Sequence, residues 1–202
     1  RRVLFRSNRF AKSLSAGKSM STRLRMYKLR ADVTLELLTD WSVVANAEMA
    51  EISFQDPRDP SLGQRSYTTT PPAPSSRSTY DAARIAAVVP EGARDLEPNK
   101  ALLLESGFER LGGLDFRKGC YVGQEVTARM KYRNLGKKRL MAVQSTGDLA
   151  SGDAIMAGER TAGMVTTAVG TKAIALMRHE FIDADLSVES GAVEIFSDPD
   201  AP

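Results

Sequence analysis

Chemistry in this chain concentrates in Lys118-Gly119-Cys120-Tyr121-Val122-Gly123-Gln124-Glu125, which holds its only cysteine. A cysteine acts as nucleophile or metal ligand through its thiolate, and an adjacent cation or helix N-terminus lowers the cost of that anion. Lys118 supplies a cation. Gly119 and Gly123 open backbone conformations closed to other residues, and Gln124 and Glu125 stand where a helix can begin. The plainer reading makes Cys120 a buried space-filler, the common fate of a free thiol. A cation and two glycines are poor company for a core residue, which favours a reactive thiol. One thiol cannot complete the four-cysteine ligation of an ordinary iron–sulfur cluster. With His179 as sole histidine and no CxxC spacing, a zinc site is not expected. A Cys120–His179 pair is conceivable, but nothing in the spacing joins them, and His179 reads as a surface residue.

The elements around this segment must position it. Residues 124–131 suit a short helix after Gly123, although Val126 and Thr127 also permit extended backbone. In a helix Glu125 sits at the favourable end of the dipole, one turn from Arg129. Such a pair adds only ~0.2–0.5 kcal/mol, so its better use is to hold the loop bearing Cys120. Residues 101–110 form a short apolar segment in which Glu105 follows three leucines, by default facing water. Residues 78–89 read as a helix capped by Ser78 or Thr79 and stopped by Pro90. Residues 56–78, rich in Pro, Ser, Thr and Arg, read as a linker or surface loop. Residues 31–38 and 41–45 read as strands, with Trp41 a core or edge anchor. Residues 10–29 suit an amphipathic helix weakened by about 1 kcal/mol at Gly17. Beyond 136, short apolar runs at 140–143, 164–169 and 173–177 alternate with glycines and read as strands joined by turns.

Composition narrows the class. The 202 residues are 42% hydrophobic and 26% charged, enough for a real core in one or two domains. One cysteine excludes an internal disulfide framework and fits a reducing compartment. No apolar run approaches the ~20 residues of a membrane span, so a soluble intracellular monomer is expected. The net charge of +3 hides an asymmetry. Residues 1–30 carry ten bases and no acid, and residues 117–139 carry eight bases against Glu125 alone. The remainder holds 10 bases against 24 acids. Anionic partners should meet the basic islands, unless these are merely solvated faces. Nothing resembles a zinc finger, helix-turn-helix or RNA-recognition motif, so direct nucleic-acid binding is not expected.

The 118–125 segment, followed by Val126-Thr127-Ala128-Arg129 and Tyr132-Arg133, resembles the signature of the YgfZ family of folate-binding proteins. That family includes related mitochondrial iron–sulfur assembly factors and shares its fold with the aminomethyltransferase (T-protein) of the glycine cleavage system. Further pieces agree in order: Lys28-Leu29-Arg30-Ala31-Asp32-Val33, Asp56-Pro57-Arg58, Val89-Pro90-Glu91-Gly92, Leu102-Leu103-Leu104-Glu105 and Lys137-Lys138-Arg139-Leu140. The likeness runs from about residue 24 to 178, and ordered motifs make it more specific than any one of them.

The resemblance implies an α+β, aminomethyltransferase-like fold, incomplete at the N-terminus, closed by a small C-terminal β-barrel at 136–202. Residues 8–135 would form the partial folate-binding region, with 1–7 a non-native leader outside the fold. A mitochondrial transit peptide is the alternative reading of the basic start. The implied function is that of a tetrahydrofolate-binding accessory factor. It would support assembly or repair of iron–sulfur clusters in client enzymes, including radical enzymes that modify tRNA. Cys120 would be its reactive thiol and Lys118 the stabiliser of the thiolate. Gly119, Tyr121 and Gly123 would shape the loop, and Gln124 and Glu125 would position it. Glu105, Arg129 and Arg133 would contact folate. Expected partners are folate and iron–sulfur client or assembly proteins. The bacterial cytoplasm is the first expected location and the mitochondrial matrix the second. Two other functions stay open: an aminomethyltransferase passing a one-carbon unit to tetrahydrofolate, and a nucleic-acid binder using the basic stretch 129–139.

Overall fold

Val3, Leu4 and Phe5 give the start of the chain a β-forming composition, and the fold uses it. In a computed structural model describing residues 2–6, 22, 24–26, 32–38, 40–45, 50–71, 76–120 and 123–199, β1 (Arg2–Arg6) pairs in parallel with β2 (Thr34–Leu38). Residues 2–6, expected to lie outside the fold, are therefore a paired strand. Residues 22 and 24–26 are helical; the rest of the helix expected over 10–29 falls mostly outside the described residues. The strands expected over 31–38 and 41–45 are present as β2 and β3 (Ser42–Ala45). β4 (Ile52–Gln55) and β3 flank β5 (Gln64–Thr68), both antiparallel to it.

β5 corrects the linker expected over 56–78. The run Gln64-Arg65-Ser66-Tyr67-Thr68 alternates exposed or half-buried with buried positions, the period of a strand with one covered face. Its Ser66 and Thr68 are buried polar residues, and Ser66 shares a hydrogen bond of 2.7 Å with Ser53 on β4. Composition counted these as loop residues, but the Ser66 hydroxyl finds a partner on β4, and the Thr68 hydroxyl accepts the Thr70 amide at 3.1 Å just past the strand. A 3-10 turn, Pro60–Leu62, buries Leu62 just before it.

The chain divides into two compact units, residues 1–56 with 63–75, and 57–62 with 76–202. The second begins with α1 (Ser78–Ala86) and a single turn, α2 (Gly92–Asp95). Ser78 and Thr79 do not cap α1. The cap position falls on Arg77, and the Ser76 hydroxyl accepts the Ser78 amide at 3.2 Å. Residues 103–112 form consecutive turns without a regular helix. α3 (Gln124–Tyr132) follows.

The rest of the second unit is a closed antiparallel barrel, as the family resemblance implies, built from the strands that the glycine-broken apolar runs predict. It consists of β6 (Lys138–Ser145), β7 (Ala154–Ala157), β8 (Arg160–Val169), β9 (Lys172–Arg178), β10 (Leu186–Val188) and β11 (Gly191–Ser197). Their order is β10-β11-β6-β9-β8-β7, and pairing of β10 with β7 closes the ring. The pleat sends Met141 and Val143 of β6, and Ala173, Ala175 and Met177 of β9, into the barrel core with Ile155, Val165 and Val193. The opposite faces are covered too: Leu140, Ala142 and Ile174 pack against Ile85 and Val88 at the end of α1. Both faces of β6 and β9 are therefore apolar, which is why 140–143 reads as a continuous run. Each of the larger side chains among these, fully buried, contributes about 1.5–3 kcal/mol.

A buried ionic clasp fixes α1 and α2 to this wall. Arg84 has no exposed surface. Its Nε donates to Asp81 at 2.6 Å and its Nη1 to Asp95 at 2.6 Å. The other oxygen of Asp95 accepts the Thr166 hydroxyl of β8 at 2.7 Å, so the clasp reaches the barrel. Burial alone would raise the Asp81 carboxyl, but the hydrogen bond and charge of Arg84, then of Arg94, outweigh it and hold Asp81 below its ordinary value. Val88 adds strain at the end of α1: its φ of 50° is rarely adopted by a β-branched residue. The Arg110 side chain holds the turn by donating to the Val88 carbonyl at 2.8 Å.

Among the described residues, no helix is long and apolar enough to cross a membrane.

Candidate functional site

Gly123 takes φ +88° at the N-cap of α3, a conformation that L side chains rarely adopt. The chain can thus turn sharply out of the Cys120 loop and enter the helix at Gln124. Inside the first turn the Thr127 hydroxyl donates back to the Gly123 carbonyl at 3.3 Å. Thr127 is the one α3 residue fully buried. Gly119, by contrast, needs no left-handed backbone, and a Cβ there would meet open space.

The loop and α3 enclose a surface cleft of about 190 Å³. Lys118, Gly119 and exposed Cys120 line one side, Gln124, Ala128 and Tyr132 another, and Asp115 with Phe116 complete it. The three α3 residues recur at i, i+4 and i+8, one stripe of a helix. The Phe116 and Tyr132 rings meet edge to face with centroids 6.3 Å apart. Lys131 lies over the Phe116 ring, 5.8 Å from its centroid, and its ammonium pairs with Glu109 at 2.7 Å. The Asp115 carboxylate accepts the Arg117 amide at 2.8 Å, turning the chain toward Lys118. Phe116 is thereby pinned against α3, and this holds the approach to the thiol.

The Glu125–Arg129 pair forms as the spacing implies, at 2.6 Å. Both side chains are exposed, however, and the pair closes on its own helix; the anchoring expected of it is done by Phe116, Tyr132 and Lys131.

Of the expected site residues, the fold gathers Lys118, Gly119, Cys120 and Gln124 in one cleft and puts Gly123 at its hinge. Tyr121 lies outside the described residues. Glu105 does not line the cleft: its Oε1 accepts the Lys137 and Lys138 amides, each at 3.2 Å, and its carbonyl accepts the Leu140 amide at 3.1 Å. It therefore guides the chain into β6. Arg129 and Arg133 are exposed and also lie off the cleft lining. His179 is exposed in a 3-10 turn after β9 and is not part of the lining. Sequence reasoning passed over Asp115, Phe116, Ala128 and Tyr132 as site residues. The 124/128/132 stripe was the signal that could have found half of them.

The thiol is thus solvent-accessible, beside a cation-bearing loop, with aromatic and polar groups around it. Such a site can present Cys120 to an approaching electrophile, metal or disulfide while an anionic group meets Lys118.

Residues 137–202 match the family model described as the C-terminal β-barrel domain of CAF17. The match takes in β6 to β11. The chain is also similar, at 31% identity over 201 residues, to a human protein named mitochondrial iron-sulfur cluster assembly factor IBA57; the alignment covers 85% of this chain and 56% of the human protein. The mouse protein of that name is 31% identical over 207 residues, covering 88% of this chain and 58% of the relative. A homologue so named from Pyricularia oryzae is 34% identical over 142 residues, covering 60% of this chain and 36% of the relative. The chain thus spans a little over half the length of the human and mouse proteins it matches. Together these likenesses support, at a coarse level, the family resemblance carried by the motifs.

Proposed function

We propose that this protein is an accessory factor in iron–sulfur cluster assembly, binding tetrahydrofolate and acting through Cys120. The observation that carries the reading is the exposed thiol set in a cleft between the Lys118 loop and the first turns of α3. The names of the human and mouse relatives support the assembly role. They also favour a mitochondrial location over the bacterial cytoplasm that was expected first.

The fit to tetrahydrofolate is partial. Small-molecule pockets usually occupy about 300–1,000 Å³, so a cleft of about 190 Å³ takes one end of such a ligand. The Phe116 and Tyr132 rings offer flat apolar walls, and Gln124 offers an amide that both donates and accepts. Lys118 is suited to a carboxylate of the glutamate tail through a charge-assisted hydrogen bond, with Arg129 and Arg133 further along the same basic segment. Glu105 is better assigned to orienting β6 than to the pterin, because its carboxylate already serves two amides. When bound, the folate would carry a one-carbon unit. The protein's own residues orient it and keep the Cys120 sulfur within reach of a client.

The test pairs calorimetry with tetrahydrofolate and a client-enzyme maturation assay, on wild type and Cys120→Ser. The variant should fold, since its side chain is exposed, and should lose support of the client. Full support by Cys120→Ser would remove the thiol from the mechanism. Aminomethyl transfer to tetrahydrofolate in the same preparation would assign the chain to the transferases instead.

A further inference from the structure

α3 is a nine-residue helix with one fully buried side chain, Thr127. Isolated helices shorter than ~12–15 residues are marginal in water, and those in proteins are stabilised mainly by packing an apolar face. At about 100° per residue, Glu125, Val126, Arg129 and Tyr132 share an arc of about 120°. That arc faces solvent: Val126 is 58% exposed and Tyr132 76%. Leu135, just beyond the helix, is exposed as well.

We propose that this face docks an acidic surface of a partner protein that also presents apolar side chains, beside the Cys120 cleft. The proposal rests on the part of the functional reading that gives the chain protein partners, and not on the thiol chemistry.

Charge selects the partner's sign. The 117–139 stretch holds eight bases and one acid, whereas the chain outside it and residues 1–30 is strongly acidic. Among the described residues, the Arg133 and Lys137 side chains form no ion pair. Both are exposed and close in sequence to Tyr132 and Leu135, and such cations suit carboxylates. Nucleic acid fits less well. Arg129 and Lys131 are already paired with Glu125 and Glu109, which leaves few cations here for the many phosphate contacts that nucleic-acid binding rests on. Exposed Val126 and Leu135 also offer aliphatic anchors of little use to a phosphate backbone but suited to a protein interface core.

The test uses three probes against the whole chain: a synthetic amphipathic helical peptide with glutamates on one side and leucines on the other, polyglutamate, and single-stranded oligouridylate. The amphipathic peptide should bind best, with amide shifts centred on α3. Val126→Ser and Arg133→Glu should each weaken it about tenfold or more, with unchanged circular dichroism. Cys120→Ser should keep the binding even if it loses client support, which separates failure of the docking surface from failure of the thiol. Equal binding of polyglutamate, tighter binding of oligouridylate, shifts centred elsewhere, or self-association of the chain abolished by Val126→Ser would each overturn the proposal.

Discussion

At the scale of single residues, Arg84 does more for the fold than any charge the sequence draws attention to. It lies fully buried between two carboxylates, and only the guanidinium makes their burial tolerable. Arg84→Ala should therefore destabilise the second unit by about 3–5 kcal/mol, by leaving buried carboxylates uncompensated. Arg94→Ala should remove less than ~1 kcal/mol, since its partly exposed guanidinium is well solvated. Denaturant midpoints of the two variants check the contrast; equal losses would mean the clasp does not depend on burial. The sequence shows Asp81 three residues before Arg84, but not its burial or its second partner: Asp95 meets Arg84, and Thr166 meets Asp95, only through tertiary structure. Cys120 and Gly123 were legible because thiol chemistry and left-handed backbone belong to residue types. Phe116 was not, since its role depends on a ring sixteen positions away.

At the scale of elements, the two glycines around the thiol should part company. Ala at 123 meets no steric neighbour, so its cost is conformational, about 1–2 kcal/mol for a left-handed residue. Gly119→Ala, with open space and no such backbone, should change stability by less than ~0.5 kcal/mol. Thermal melts decide it, and an equal loss at both positions would contradict the geometry at the N-cap. α1 and α3 were readable from helix formers and a glycine hinge, because those signals are local. β5 was missed because Ser and Thr score as loop residues until a fold gives their hydroxyls partners, as Ser53 on β4 does for Ser66. The cap of α1 lies one residue upstream of Ser78, at Arg77, with no side-chain cap of its own, while the Ser76 hydroxyl before it accepts the Ser78 amide.

At the scale of the whole molecule, acid should weaken the first unit in part through Glu51. Glu51 accepts the Thr69 hydroxyl at 2.6 Å and its amide at 3.0 Å, and chiefly these bonds lower its pKa from 4.5 to about 2. A depressed carboxylate stabilises the fold above its unfolded value, so that contribution should fade as pH falls from about 4.5 to about 2. Trp41, the sole tryptophan, lies in this unit. Its fluorescence should follow the acid transition, and Glu51→Gln should remove that part of the pH dependence; an unchanged titration would refute the assignment. The barrel's strands were legible as short apolar runs between glycines, whereas their closure into a barrel came from the family resemblance. The break expected at 135/136 lies inside the second compact unit and just before residue 137, where the match to the barrel family model begins.

That outer covering of the barrel by Ile85 and Val88 bears on where the polypeptide can be cut. A fragment trimmed to 137–202 would keep every strand yet carry a sticky stripe of Leu140, Ala142 and Ile174 into water. It should elute as clumps on size exclusion, whereas one beginning at residue 57, which keeps buried Leu62 and α1 with the barrel, should run as a single well-behaved species.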